Sequence, residues 1–585
     1  MPPILWPLKT VGSALSTSTE AKTPWWQSLE RRFLTHLSRW SDKWVHIGLV
    51  LVFSAWIVVD VLLVGVTGGL AQTTYDNMVR GRLITAPADP RIVIIDIDES
   101  ALARMATEFG RWPWPRDTLA SVLDYVEEQQ PAAVVWDIIF SDVDRLNPGG
   151  DAAFDASAKR SAHSHFGLVR LPKENDDKSE LTQKNLPSLW VQKASQQTKE
   201  FSTVALIPPV LPGVAVKPLG YNNGYVDRDG ILRRYRYFER LDDGGMIQSL
   251  PMSVVQQVDP QAHAFWLERF LNKPQKIASD NATQDDVLIN WRKKANSYPR
   301  VNFADVFALA DGAKPKEEVP SFAGKIVIIG STAPSLHDIH PTPLSSTQAG
   351  VESLATGIDN ALNQRVMREM PKWLGALIAM VMCVGLAFWS YHKSVSSLAA
   401  GMLGMPSVML GVSFLSLNTD HVFLDLNLSA GLGLLFVVLL KVWSLIQKRH
   451  WFGDIAPNCQ QASVWAWRVN EPWTDQQLQD MVRALREHAF NCRILLLDIT
   501  PAQSKLVRWK PFANYLALIG PKVELEDARQ ELEKITVSLQ AHTGNILTVQ
   551  DQPENPSLQI SQLALQAWTQ VSNGDTHQKT LENRK

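Results

Sequence analysis

Residues Arg91–Ile97 read RIVIIDI, a continuous apolar run that ends in acids. A strand buried on both faces requires such a run. Pro115 then opens a helix in which Leu119, Val122, Leu123 and Val126 recur at helical spacing. Ala132–Phe140, AAVVWDIIF, reads as the next buried strand. Strand, helix, strand in so short a stretch is a βαβ unit, which commits the sheet to parallel pairing. Further out, Phe166–Leu171 and Thr203–Ile207 read as strands, Lys325–Gly330 (KIVIIG) as another buried strand, and Val351–Gln364 as a helix. Residues 172–185 form a polar loop. Gly224–Phe238 reads as a hairpin turning at Asp229-Gly230. Its Arg233, Arg234 and Arg236 fit an anion site or, preferably, a solvated strand face. The expected domain is three-layer α/β with a parallel-rich sheet.

Apolar helices flank this domain. The run Val45–Leu70 is broken only by Asp60, and Trp373–Tyr391, Val395–Leu417 and Leu428–Ile446 follow in quick succession. A span needs about 20 apolar residues, so each is long enough and four transmembrane helices are expected. The reading divides the chain into an N-terminal segment (1–44), a first span (45–70), a soluble domain (71–372), three spans (373–446), a small α/β module (447–572) and a polar, disordered tail (573–585). A length of 585 residues agrees with about three to four folded units. The first span reads as a signal anchor, because 44 residues precede it and no small-residue cleavage site follows.

Lys9, Lys22, Arg31, Arg32, Arg39 and Lys43 precede the first span. His392 and Lys393 lie between the second and third, and Lys448, Arg449 and His450 follow the last. The loop between the third and fourth spans holds Asp420 and Asp425 without Lys or Arg. All four observations place both termini in the cytoplasm and 71–372 outside it. Arg365, Arg368 and Lys372 dissent, but long translocated domains largely ignore the charge rule. The three cysteines, Cys383, Cys459 and Cys492, all fall outside 71–372, as suits an exported domain that avoids thiols. The net charge of −2 gives no reason to expect nucleic acid. Asp60, inside the first helix, reads as an interfacial or bundle-facing carboxylate rather than a functional one.

Ligands of open parallel sheets bind outside the carboxyl ends of the strands. There the sequence places Asp96 and Asp98 after the first strand, Asp137 in the second, and Ser331 and Thr332 after the last. Trp112, Trp114 and Arg116 follow the first strand and can lie over that edge. Together these residues fit a cationic or polar small molecule or a hard cation. The competing, preferred reading has Arg116 pairing with Asp96 or Asp98 and the Trp-Pro-Trp-Pro stretch packed as a rigid loop. His337, Asp338 and His340 invite a metal, but spacing fixes no third ligand, so no metal is expected.

In 447–572, Ala462–Trp467, Arg493–Ile499 and Tyr515–Ile519 read as strands, with Asn545–Val549 as a further candidate. Thr474 caps a helix with Leu478, Met481, Val482 and Leu485 on one face. Glu524–Ala541 carries a stripe of Leu525, Ala528, Leu532, Ile535 and Leu539. The stripe fits packing on the module's own sheet better than a dimer seam, being two heptads long. Asp498 reads as a loop cap. There is no P-loop, kinase signature or nucleophile elbow, so no enzyme and no cofactor are expected.

Six motifs occur in order: DIDES (96–100), GRWPWPR (110–116), WDIIFSD (136–142), DRDGILRR (227–234), GKIVIIGSTAPSLHDIHPTPL (324–344) and AGVESLATGIDNAL (349–362). Together they resemble the type-two CHASE domain, an extracellular sensor of cyclases and histidine kinases. The family frame of one membrane helix, the sensor and three more helices matches roughly 45–446. The resemblance implies a sensory receptor in a bacterial inner membrane. The last motif departs from it, with Leu354 and Thr356 where His and Asn are common. The family's usual cyclase, diguanylate cyclase or kinase output is not visible. The expectation is a homodimeric receptor for an unknown ligand or protein, whose 447–572 module engages a separate cytoplasmic effector. A scaffold of a cell-envelope complex is the alternative, and a degenerate enzyme in the tail the third reading.

Overall fold

The computed structural model describes residues 42–64, 66–192, 203–241, 245–272, 282, 286–292, 297–391, 395–451, 462–468, 475–497, 515–538, 542–543, 545–548 and 566. Most of the cationic residues before the first span, the loop with His392 and Lys393, Cys459, Thr474, Asp498, Leu539 and 573–585 lie outside them. The chain divides into two compact units.

The first unit comprises Asp60–Ala376 with Val408–Leu428. At its centre lie five parallel strands: β1 (Ile92–Ile97), β2 (Ala133–Trp136), β3 (Ser164–Arg170), β4 (Arg300–Asn302) and β5 (Ile326–Ser331), in the order β4-β1-β5-β2-β3. Beyond β3 the sheet gains Leu219–Tyr221 in parallel and Leu206–Ile207 in antiparallel. Both faces of β1 are buried, as RIVIIDI demands: Val93, Ile95 and Ile97 join one core cluster and Ile92 and Ile94 the other. The expected βαβ unit is present with one addition. Between β1 and β2 run two helices, α1 (Glu99–Phe109) and the expected α2 (Arg116–Glu127), which buries Leu119, Val122, Leu123 and Val126. A third helix, α3 (Gly350–Leu362), is buried along its length apart from Gly350. Part of the polar loop 172–185 forms a 3-10 turn, Lys173–Lys178.

The expected hairpin is corrected. A turn does form at Asp227–Ile231, with Gly230 at φ +81°. Arg234–Tyr235 then pairs antiparallel with Val287–Leu288, not with the preceding segment. The apolar run that begins at Val45 also divides. Helix Asp42–Val59 leads into a π-turn, Asp60–Val64, and Val66–Arg80 is a further helix that carries polar residues into the domain. Among the described residues, three helices have the length and apolarity of a membrane span: Lys43–Leu63, Lys372–Ser390 and Asn427–Gln447. Val395–Thr419 is helical, with Pro406 inside it, but as a fourth crossing it rests on the sequence.

The second unit comprises Met1–Val59, Leu377–Ser407 and Ser429–Lys585. Its span helices expose apolar side chains such as Leu51, Val52, Val381, Val384, Phe388 and Leu445, as lipid-facing surfaces do. Its soluble part is an antiparallel sheet in which Tyr515–Pro521 lies between Arg493–Leu497 and Ala462–Arg468. His542–Thr543 and Leu547–Thr548 pair with the latter strand. Helices Asp475–His488 and Lys522–Ser538 complete it. Leu525, Ala528 and Leu532 are buried with Trp465, Trp467 and Leu518, so this part of the stripe packs within the module.

Candidate functional site

Parallel pairing brings the carboxyl ends of β1, β5 and β2 to one edge of the sheet, so Asp96, Asp98, Ser331, Thr332 and Asp137 do converge. Most of their bonding capacity is satisfied internally. Asp96 is buried and accepts bonds from the Thr332 hydroxyl at 2.8 Å and amide at 3.1 Å, with Arg300 at 3.4 Å. Burial raises its pKa, against the pull of Thr332 and Arg300. Asp98 caps α1, accepting from the Ala101 amide at 2.6 Å and from Asn302 at 2.9 Å. The Ser331 hydroxyl donates to the Ile97 carbonyl at 2.9 Å.

Arg116 does not reach Asp96 or Asp98, which corrects that expectation. Its guanidinium binds Asp151 at 2.5 Å and the Asp142 carbonyl. The helix Pro148–Arg160 supplies Asp151, a partner too distant in sequence for a local reading to find. Trp114 is buried with its ring 5.0 Å from that of Phe303, and Trp112 meets Trp114 edge-on at 5.0 Å. The tryptophans are therefore core packing rather than an open aromatic wall. Leu354 and Thr356 are likewise buried, Thr356 bonding to the Glu352 carbonyl at 2.8 Å. The departure in the last motif thus lies inside the fold.

One carboxylate at the edge stands differently. Asp137 Oδ1 accepts from Asn222 at 2.5 Å, whereas Oδ2 is out of reach of solvent without a hydrogen-bond partner. Burial pushes its pKa up to about 7, with the charge of Asp338 adding and Asn222 and His340 opposing. Asp338 lies 3.5 Å from His340, raising the imidazole pKa. It also fills the start of α3, since a Cβ on Gly350 would meet its carboxylate at 2.3 Å. Among the described residues, no group of three or more His, Cys, Asp or Glu side chains is arranged to hold a metal ion.

A second cluster ties the domain to its membrane connections. Arg233, Arg234 and Arg236 are all buried, contrary to the solvated-face reading. Arg233 pairs with Asp76 on the helix Val66–Arg80, with Asp227 at 2.9 Å and with Asp229 at 2.7 Å. Arg234 pairs with Asp227 at 2.6 Å and with Glu369 at 2.5 Å, while Arg236 pairs with Asp286 at 3.0 Å. Around them, Tyr75 donates to the Ile289 carbonyl at 3.3 Å and stacks edge-on against Phe423. Arg368–Glu369 pairs in parallel with Val422–Phe423, and Thr74 bonds Asn427 at 2.9 Å. The segments after Asp60, before Lys372 and around residues 420–427 are thereby joined in one belt. Three arginines within four positions were the signal for it, but the partners at 76, 286 and 369 lie far away in sequence.

A parallel-sheet domain whose two ends continue into apolar helices defines a membrane-tethered α/β domain. The CHASE2 domain model matches residues 52–389, more than half of the chain, and the protein belongs to the CHASE2 family. It is a multi-pass membrane sensor, since CHASE2 is an extracellular sensory domain. No curated protein and no solved structure matches the chain.

Proposed function

We propose that the protein receives a signal outside the cytoplasm in its α/β domain and relays it through the membrane helices to a separate cytoplasmic effector. In this reading both termini and 447–572 are cytoplasmic, the membrane is a bacterial inner membrane, and the receptor works as a homodimer. The observation that carries the reading is the belt. Arg233 and Arg234 share Asp227 and reach Asp76, which follows the first candidate span, and Glu369, which precedes the second. A signal that alters the domain has to act on both connections together, through a differential affinity for two states. The sheet edge around Asp137, Asp338 and His340 is the place for the ligand to act, because α3 starts there and ends five residues before Met367.

Crosslinking in cells followed by purification of the full chain tests this. Recovery of a kinase, cyclase or response regulator supports a receptor. Recovery of envelope-assembly proteins alone favours the scaffold, and nucleotide turnover by the purified chain would mean that its tail is itself an enzyme.

A further inference from the structure

The π-turn at Asp60–Val64, the start of the helix Lys372–Tyr391 and the turn before Asn427 meet around a cavity of about 70 Å³. Asp60, Lys372, Asp425, Gly68, Gly375 and Leu428 are among its lining residues. All of them belong to the same compact unit. Asp60 is buried and Lys372 is exposed. The candidate spans end at Leu63 and begin at Lys372 and Asn427. The cavity therefore sits at the level of span ends, where lipid headgroups lie.

Opposite charges in such a cavity match a headgroup carrying both. A volume of about 70 Å³ is several times the roughly 10–15 Å³ that one water needs on the same measure, so it admits a small aminoethyl group. A primary ammonium has three N–H donors for the Asp60 and Asp425 carboxylates. A phosphodiester attached to it would remain outside, against the exposed Lys372 ammonium. A trimethylammonium group is bulkier and has no N–H to donate.

We propose that this cavity binds the headgroup of a primary-ammonium phospholipid, a phosphatidylethanolamine, with its ammonium between Asp60 and Asp425 and its phosphate at Lys372. The site rests on the family's membrane placement but not on the identity of the signal or effector.

The test uses the full chain in nanodiscs whose lipid is phosphatidylethanolamine, its mono-, di- or trimethylated form, or phosphatidylglycerol. Bound lipid is counted by native mass spectrometry and stability by thermal melting. Loss of charge-assisted hydrogen bonds predicts roughly tenfold weaker retention of the trimethylated lipid, graded along the methylation series. Asp60→Asn with Asp425→Asn should erase the preference. Equal retention of all headgroups by the wild-type chain overturns the proposal, as does an unchanged preference in the folded variant. Because the methylation series needs no mutation, a variant that fails to fold does not decide the matter. Stabilisation by soluble glycerophosphoethanolamine in phosphatidylcholine discs supports the site and assigns it to a free ligand. Absence of any signalling partner leaves the lipid measurement standing, so this site and the receptor reading fail separately.

Discussion

Arg233 holds Asp76 with two parallel bonds, Nε to Oδ1 at 2.8 Å and Nη2 to Oδ2 at 2.7 Å. Both side chains are nearly out of contact with solvent. A buried charge that loses its partner costs about 3–5 kcal/mol. Arg233→Ala, which strands Asp76 and leaves Asp227 to Arg234 alone, should therefore lower the free energy of unfolding by an amount in that range. Arg233→Lys should recover only part of it, because an ammonium cannot reproduce the planar fork. Denaturant titration of the purified full chain measures both, and equal stability of Lys and Ala variants would contradict the role given to the fork.

Asp137 makes a pH prediction. A free carboxyl titrates near about 4, and in the fold this one is pushed up to about 7. The folded pKa is the higher, so its contribution to stability is present below the unfolded pKa and lost as pH rises through about 7. Asp137→Asn cannot ionise and does not incur that loss. Its melting temperature should rise relative to wild type between about pH 5 and about pH 8. A constant offset across that range would contradict the assignment.

Gly220→Ala probes close packing. A Cβ there would lie 2.3 Å from the Leu250 amide nitrogen and 2.4 Å from the Ser249 carbonyl carbon. Both are backbone atoms and cannot rotate away. Overpacking of this kind costs about 1–3 kcal/mol or more, visible as a reduced melting temperature. Gly230→Ala offers a comparison of different origin, since its Cβ meets nothing within 4 Å and only the φ of +81° opposes it.

Topology can be read by thiol labelling. Leu146 is 98% exposed in the sheet domain and Val523 is 68% exposed in the second unit. In intact cells a membrane-impermeant maleimide should label Leu146→Cys, whereas Val523→Cys should react only after permeabilisation. The reverse pattern would invert the proposed orientation.

Strands built from unbroken apolar runs were legible because local composition decides them, as in β1 and β5. Ala132–Phe140 was legible as a strand but not in length. Pairing ends at Trp136, and Asp137 turns to Asn222. Helix α1 was missed: its apolar face is sparse, burying only Ala101 and Met105. The site was half legible. The rule for parallel sheets collected Asp96, Asp98, Asp137, Ser331 and Thr332 at one edge, yet their partners Arg300, Asn302 and Asn222 are distant in sequence. The same limit governed Arg233, Arg234 and Arg236. A guanidinium reads as surface until carboxylates from other segments are known to surround it.

The strand order β4-β1-β5-β2-β3 has a consequence for how the chain matures. β5 lies between β1 and β2, although both are synthesised long before it. A chain emerging N-terminus first must keep Ile92–Ile97 and Ala133–Trp136 apart, their apolar faces exposed, until Ile326–Ser331 arrives to separate them. Non-local pairing of this kind is slow and leaves intermediates open to aggregation. Completion of the sheet is thus postponed until Ile326–Ser331 has been made, when the chain is within about 40 residues of the candidate span that begins at Lys372.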